Sequence, residues 1–280
     1  MPTVFSTRVH KLNTDYLNYS NILLDGFPQS SPRTRIFKPI IGNYSKNSII
    51  QYPKGYSTEY IKQKIAQYPS GKYHQQLKTL SLKATKSINS FIYKYSKKNN
   101  LNQIPCDVVV CSKTSETQNN VSLVHLHYPN EWSAEEAIGK PFNYFHKAIK
   151  KPDGRNIVPD SYKLIDNFIY SGKFYERVGA YSIRCNPLLN LHPTTQRSKL
   201  WQKSEKIEDF YLRFERQVVA GLPEIDSFIF LIHTYFVSAS AKPALLKSAI
   251  INRDPYCYPR DVINRFDKQL IDCCDSYIKL

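Results

Sequence analysis

The 280-residue sequence has no apolar run long enough to cross a bilayer, which takes about 20 residues. One of its most apolar stretches, residues 227–237 (SFIFLIHTYFV), is far shorter than a span, and the opening MPTVFSTRVHKLN lacks the apolar segment of a signal peptide. The cysteines, at positions 106, 111, 185, 257, 273 and 274, do not have the spacing of a zinc ribbon or finger. We therefore predict a cytoplasmic protein without membrane contact, whose cysteines are reduced packing thiols.

Acidic residues are also scarce: 23 Asp and Glu face 39 Lys and Arg, for a net charge of +16. Together with 21 tyrosines, this charge would suit nucleic-acid binding, in which cations neutralise phosphates and aromatic rings stack on bases. The lysines are nevertheless scattered through residues 38–100 instead of forming one motif. An acidic protein partner explains the basic surface equally well. Nucleic-acid binding is therefore the less favoured reading.

The hydrophobic pattern predicts an α+β fold with strands in the centre of the chain. Alternating runs indicate strands at residues 106–113, 122–129, 174–186 and 227–237. Helical patterns occupy residues 57–69, 71–100, 132–141, 160–173, 209–222 and 260–280. Ser133 followed by Glu136 fits a capping box at the start of the third of these helices. Residues 1–30 are predicted to form an irregular arm.

Glu215 is the unusual residue of the helix predicted at 209–222. At about 100° per residue, it falls between Val218 and Val219 on the apolar face, with Phe214 nearby, while Arg213 and Arg216 fall on the opposite side. A buried carboxylate needs a partner, because an isolated one costs several kcal/mol. Two interpretations remain open. Glu215 forms a structural ion pair with another arginine, or it lines a pocket and binds a cation or handles a proton.

Several segments, in order, resemble the haem-binding subunit of haem-dependent oxidative N-demethylase, the dimethylamine monooxygenase group. The segments are FKPI (37–40), HYPNEW (127–132), IGKP (138–141), FHK (145–147), RCN (184–186), RFERQVVAGLP (213–223) and LIHTY (231–235). The chain departs from the family pattern around the pocket. His127 stands where the family has a cysteine, His233 where it has an arginine, and Ala148-Ile149-Lys150 where it has Pro-Val-Pro.

The resemblance implies a PAS-like fold, an antiparallel sheet with flanking helices that form a hollow for haem b, with an N-terminal helical extension. It divides the chain into an N-terminal arm and helical extension (1–104), a PAS-like haem-binding core (105–250) and a C-terminal helix (251–280). It also implies oxidation of a small secondary amine with O₂, using electrons from a separate reductase. The alternative is a PAS-like module that binds haem or a small ligand without catalysis.

The resemblance also assigns candidate residues. His146 is the expected iron ligand. His125 and His127 alternate on one strand face and either could replace it, with His127 the first alternative. Glu215 would bind the protonated amine and accept its proton. Further candidates are Arg213 and Arg216, which either bind the haem propionates or face solvent. Tyr235 and His233 are candidates for the wall of the hollow, and Arg184 for the structural partner of Glu215.

Overall fold

A computed structural model describes residues 38–39, 49–50, 52, 70–130, 132–146, 162–184, 192–193, 206–241, 243–244, 247 and 265–278. The strands in these ranges are β1 (Lys38–Pro39), β2 (His74–Gln76), β3 (Asp107–Ser115), β4 (Gln118–His125), β5 (Phe174–Arg184), β6 (Tyr211–Leu222) and β7 (Ser227–Ser238). The α-helices are α1 (Ser70–Tyr73), α2 (Leu82–Ser96), α3 (Ala134–Ala137), α4 (Tyr162–Tyr170) and α5 (Arg265–Ile278). Short 3₁₀ helices cover Leu101–Gln103, Phe142–His146, Ile207–Asp209, Pro223–Ile225 and Ala239–Ala241.

The strands form one seven-stranded sheet in the order β1-β5-β6-β7-β3-β4-β2, and each neighbouring pair is antiparallel. Its middle is built from hairpins: β6 turns into β7 through Pro223–Ile225, and β3 turns into β4 with Ser115 opposite Gln118. This confirms the predicted α+β class and the antiparallel sheet with flanking helices. Within the described ranges, no helix has both the length and the hydropathy of a membrane span.

Both faces of the sheet are buried, because its strands carry apolar residues at successive positions rather than at alternate ones. On one face, which we term the α4 face, side chains such as Val109, Val219 and Phe230 pack against α3, α4 and the helix Phe142–His146. On the other, the α2 face, Val108, Val218 and Leu231 pack against α2. Four buried cysteines, Cys106, Cys111, Cys273 and Cys274, are free thiols, as predicted, whereas Cys185 and Cys257 lie outside the described residues.

Helix α4 packs on β6 at unusually close range. A side chain at Gly221 would place its Cβ 2.1 Å from the carbonyl oxygen of Ile169 and 2.7 Å from that of Phe168. Both atoms belong to the backbone, so neither can move aside as a flexible side chain would. Glycine at this position therefore lets the end of α4 rest directly on the sheet.

Helix caps account for the ends of α2 and α3. The Ser81 side chain accepts a hydrogen bond from the Ala84 amide, and the Ser133 side chain accepts one from the Glu136 amide, as the capping box predicts. The helix predicted over 71–100 is wrong in its first half, which forms α1 and β2 before α2 begins at Leu82. The backbone of β2 pairs with β4, and this pairing overrides the helical pattern of the segment.

The helix predicted over 209–222 is also wrong, since this segment is strand β6. Its backbone pairs with β5 on one side and β7 on the other, so it lies well inside the sheet. The predicted helix 57–69 and the N-terminal arm lie outside the described residues. The predicted C-terminal helix is present as α5, over Arg265–Ile278.

Candidate functional site

A buried ion pair joins Arg213 and Glu215 on the α4 face. Because strand residues alternate between faces, these two residues of β6 project to the same side. The Arg213 Nη1 lies 2.8 Å from the Glu215 Oε1. Arg213 Nη2 also donates to the Thr234 Oγ1, at 3.0 Å, and to the Tyr128 carbonyl, at 3.2 Å. Arg213 is fully buried and Glu215 is 7 % exposed, so each charge depends on the other for compensation.

Gln217 extends this pair into a network. Its Nε2 donates to the second carboxylate oxygen of Glu215 at 2.8 Å, and its Oε1 accepts from the Nε of Arg177 at 2.9 Å. A guanidinium only donates and a carboxylate only accepts, so the amide of Gln217 has one consistent orientation between them. The network thus runs Arg177–Gln217–Glu215–Arg213, with its last three residues buried and Arg177 partly exposed.

The network keeps hydrogen-bonding capacity for a ligand at two groups, Arg213 and Glu215. The Nε of Arg213 is buried and has no hydrogen-bond partner among the described residues, so the network retains a donor for an anionic group. Each oxygen of Glu215 receives one hydrogen bond here and has a second lone pair, so the carboxylate can still accept another donor.

Asp107 connects this network to the segment that follows β4. Its Oδ1 accepts hydrogen bonds from the backbone amides of His127 and Tyr128, the second at 2.6 Å. Asp107 and His127 are each 1 % exposed. The carboxylate therefore fixes the backbone that carries the His127 imidazole and presents the Tyr128 carbonyl to Arg213.

Arg216 and His233 occupy the opposite face of the sheet. They are directly opposite each other on β6 and β7, both buried, and Arg216 forms an ion pair with Glu176 and donates to the Ile49 carbonyl at 3.3 Å. Burial, with the neighbouring Arg216 charge as a second cause, holds the pKa of His233 well below its usual value. His233 is therefore neutral at physiological pH, the form of imidazole that binds metals.

The predicted site residues are thus divided between two faces. Arg213 and Glu215 lie together on the α4 face, whereas Arg216 and His233 lie on the α2 face. Arg184 is opposite Tyr211 in the β5–β6 ladder, and Tyr235 is opposite Phe214 in the β6–β7 ladder. His146 ends the 3₁₀ helix Phe142–His146. The first residue of that helix packs against Phe228 and Phe230 of the α4 face, at centroid distances of 5.1 and 5.6 Å.

The environment predicted for Glu215 needs a correction. The predicted helix placed Arg213 and Arg216 together on the side opposite Glu215. In a strand, however, residues two apart share a face and adjacent residues do not. Glu215 is buried, as predicted, yet it pairs with Arg213 and is separated only from Arg216. Arg184 was the predicted partner; the partner that the structure shows is Arg213.

Sequence reasoning missed the residues that complete the network, namely Gln217, Arg177, Thr234 and Asp107. The period-two pattern Arg213, Glu215, Gln217 was a usable signal for the first of these. The polar Asp107 at the head of the apolar run Val108–Val110 was another. Arg177 and Thr234 come from neighbouring strands, and only the register brings them to Gln217 and Arg213.

The described residues include the types of side chain that hold haem in proteins. Within the described ranges, no group of three or more His, Cys, Asp or Glu residues could hold a metal ion. Haem iron does not need such a group, because the porphyrin supplies four ligands and the protein adds one or two axial ones. Buried His127 and neutral His233 are candidate axial ligands in the described part, and buried arginines such as Arg213 can pair with propionates.

An antiparallel sheet covered by helices, with buried charge and histidines at its faces, defines an α+β protein with a polar network in its core. A family model described as haem-dependent oxidative N-demethylase, alpha subunit-like, matches residues 47–244, which is more than half of the chain. The chain belongs to this family. Among curated proteins, none matches it.

Proposed function

We propose that this protein is a haem-binding subunit that oxidises a small secondary amine with O₂. The observation that carries the proposal is the buried network of Arg213, Glu215 and Gln217, which lies inside the region matched by the family model. A buried carboxylate between a guanidinium and an amide contributes less to stability than well-packed apolar residues of similar volume often would. It suits a site where an ionised carboxylate must face a ligand in an apolar surrounding.

The PAS-like core of residues 105–250 would hold haem b against one face of the sheet. His146 is the proposed axial ligand, with His127 and then His233 as alternatives, and Arg213 or Arg216 would pair with the propionates. When bound, the haem supplies the activation of O₂ and the oxidation of the N-methyl group. Arg213 and His146 belong to elements of the α4 face, so this face is the favoured location.

Glu215 would bind the amine and take its proton. A secondary amine is a cation at neutral pH, and the free lone pairs of the Glu215 carboxylate can accept its N–H. The ion pair with Arg213 holds the Glu215 carboxylate in place, and the hydrogen bond from Gln217 fixes its direction. Arg184, which is opposite Tyr211 in the β5–β6 ladder, would line the amine site. Tyr235 follows the alternation of His233 on β7 and would line the α2 face instead.

The electrons would come from a separate reductase. The net charge of +16 favours an acidic partner, because opposite charges accelerate encounter between proteins. We place this reaction in the cytoplasm.

The test combines an absorption spectrum with an activity assay on the full-length protein. After reconstitution with haem b, we expect a Soret band, a shift of that band on adding dimethylamine, and formaldehyde release when a reductant and O₂ are supplied. The control is Glu135→Gln, which removes an exposed carboxylate from α3. Absence of a Soret band after reconstitution would refute haem binding altogether.

A second function, haem or small-ligand binding without catalysis, is favoured by one observation. Both Glu215 oxygens are already engaged by Arg213 and Gln217, and the adjacent Arg213 charge opposes the binding of a cation. A Soret band that does not respond to amines, together with no formaldehyde release, would select this function over the first.

A further inference from the structure

Two histidines face each other at the edge of the sheet, on strands β2 and β4. His74 and His125 are directly opposite in the antiparallel register. Their rings are 5.4 Å apart between centroids, and the two Nδ1 atoms are 3.3 Å apart. His125 is buried and His74 is partly exposed, so the pair can be reached from the side of the edge strand β2.

The separation of the two nitrogens is that of two ligands on one metal ion. With metal–nitrogen bonds of about 2.0–2.1 Å at tetrahedral angles, two imidazole nitrogens on one zinc ion lie about 3.3–3.4 Å apart. At this distance one ring can also donate an N–H···N hydrogen bond to the other in the absence of metal. A metal would replace the shared proton and keep the same separation of the two nitrogens.

Backbone hydrogen bonds fix β2 against β4 beyond both ends of the short strand. The Leu126 amide donates to the Tyr73 carbonyl at 2.7 Å, and the Leu77 amide donates to the Ser122 carbonyl at 2.9 Å. These bonds extend the ladder beyond each end of the three-residue strand. A metal would thus meet a preformed pair of ligands rather than ordering a loose segment.

We propose that His74 and His125 form a two-histidine site for a divalent transition metal of the zinc, nickel or copper class, bound through both Nδ1 atoms. Imidazole nitrogen is a ligand that these metals share. Two protein ligands leave the remaining coordination positions to water, so the site is an open one. The proposed site lies on other residues than the amine site, and it does not depend on haem binding.

The experiment is a Zn²⁺ titration of the full-length protein after dialysis against a chelator, in competition with a chromophoric zinc indicator. We expect one equivalent of Zn²⁺ to bind, and we expect His74→Ala to weaken that binding at least about tenfold. The matched control is Gln76→Ala, which alters an exposed residue of the same short strand and should bind within about twofold of the wild type.

A thermal melt supplies a second readout. Zn²⁺ should raise the Tm of the wild type and of Gln76→Ala, but not that of His74→Ala, because only a ligand that binds the folded state stabilises it. His125 is buried, so His125→Ala is interpreted only if its melt in the absence of metal shows a cooperative transition. The proposal is overturned if no stoichiometric Zn²⁺ binding occurs, or if His74→Ala binds Zn²⁺ as the wild type does.

Discussion

The substitution Glu215→Gln tests the energetic role of the buried network directly. It keeps the size of the side chain and one oxygen acceptor, but it removes the carboxylate that pairs with Arg213. Arg213 is fully buried, so its charge would be left with neutral acceptors, namely the Thr234 hydroxyl, the Tyr128 carbonyl and the new amide oxygen. Breaking a buried pair by removing one partner costs about 3–5 kcal/mol. Because Glu215 is 7 % exposed and glutamine retains an acceptor, we expect a loss of about 3 kcal/mol.

The assay is urea unfolding followed by tryptophan fluorescence, with Glu135→Gln as the control for a carboxylate lost from the surface. The double variant Arg213→Met with Glu215→Gln removes both buried charges and keeps an acceptor for Gln217. It should therefore recover about 2 kcal/mol relative to Glu215→Gln alone. If Glu215→Gln unfolds with the same free energy as the control variant, Arg213 and Glu215 are not coupled and the reasoning fails. Full recovery is not expected, because the Tyr128 carbonyl loses its donor.

Four further outcomes are expected. His146→Ala should abolish haem retention, measured as the Soret absorbance per protein; an unchanged spectrum would reject His146 and make His127→Ala the deciding variant. Stability should fall as the pH drops below about 6.5, because the imidazole of His233 takes up a proton in the unfolded chain but, with its folded pKa well below the usual value, not in the folded one. His233→Gln should flatten that part of the pH profile of urea midpoints, and an unchanged slope would contradict the assignment. Gly221→Ala should lower the free energy of unfolding by at least about 2 kcal/mol, since its Cβ meets backbone oxygens; a fully stable variant would show that α4 can shift. Asp107→Ala should lower the free energy of unfolding by about 3 kcal/mol, because the backbone amides of His127 and Tyr128 lose the carboxylate that accepts their hydrogen bonds; an unchanged free energy in urea unfolding would contradict this role.

Sequence patterns predicted the α+β class and most strands because the runs in β3, β4, β5 and β7 are rich in β-branched and aromatic residues. They failed for β6, where Arg, Glu, Gln and Ala favour a helix on intrinsic propensity. Its alternation was hidden because charged residues occur on both faces, Arg213 and Glu215 on one and Arg216 on the other. Such a pattern makes sense only once the partners on β5 and β7 are known, and those partners are distant in sequence.

The candidate site was predictable in part. The burial of Glu215 followed from its apolar neighbours in sequence, and this expectation is confirmed. Its pairing with Arg213 did not follow, because the period assumed for the segment decides which neighbours share a face. The division of the arginines between two faces is a consequence of the same change from a helix to a strand.

The placement of charges on β6 also affects how the sheet can misfold. A slip of β6 by one residue against β5 and β7 would turn every side chain to the opposite face. Arg216 would then enter the apolar cluster of the α4 face without Glu176, and Arg213 would lose the Thr234 hydroxyl and the Tyr128 carbonyl. An apolar strand with both faces buried would tolerate such a slip, whereas here each displaced charge adds a desolvation cost of several kcal/mol. The same residues that form the candidate site therefore select one alignment of the central strands during folding.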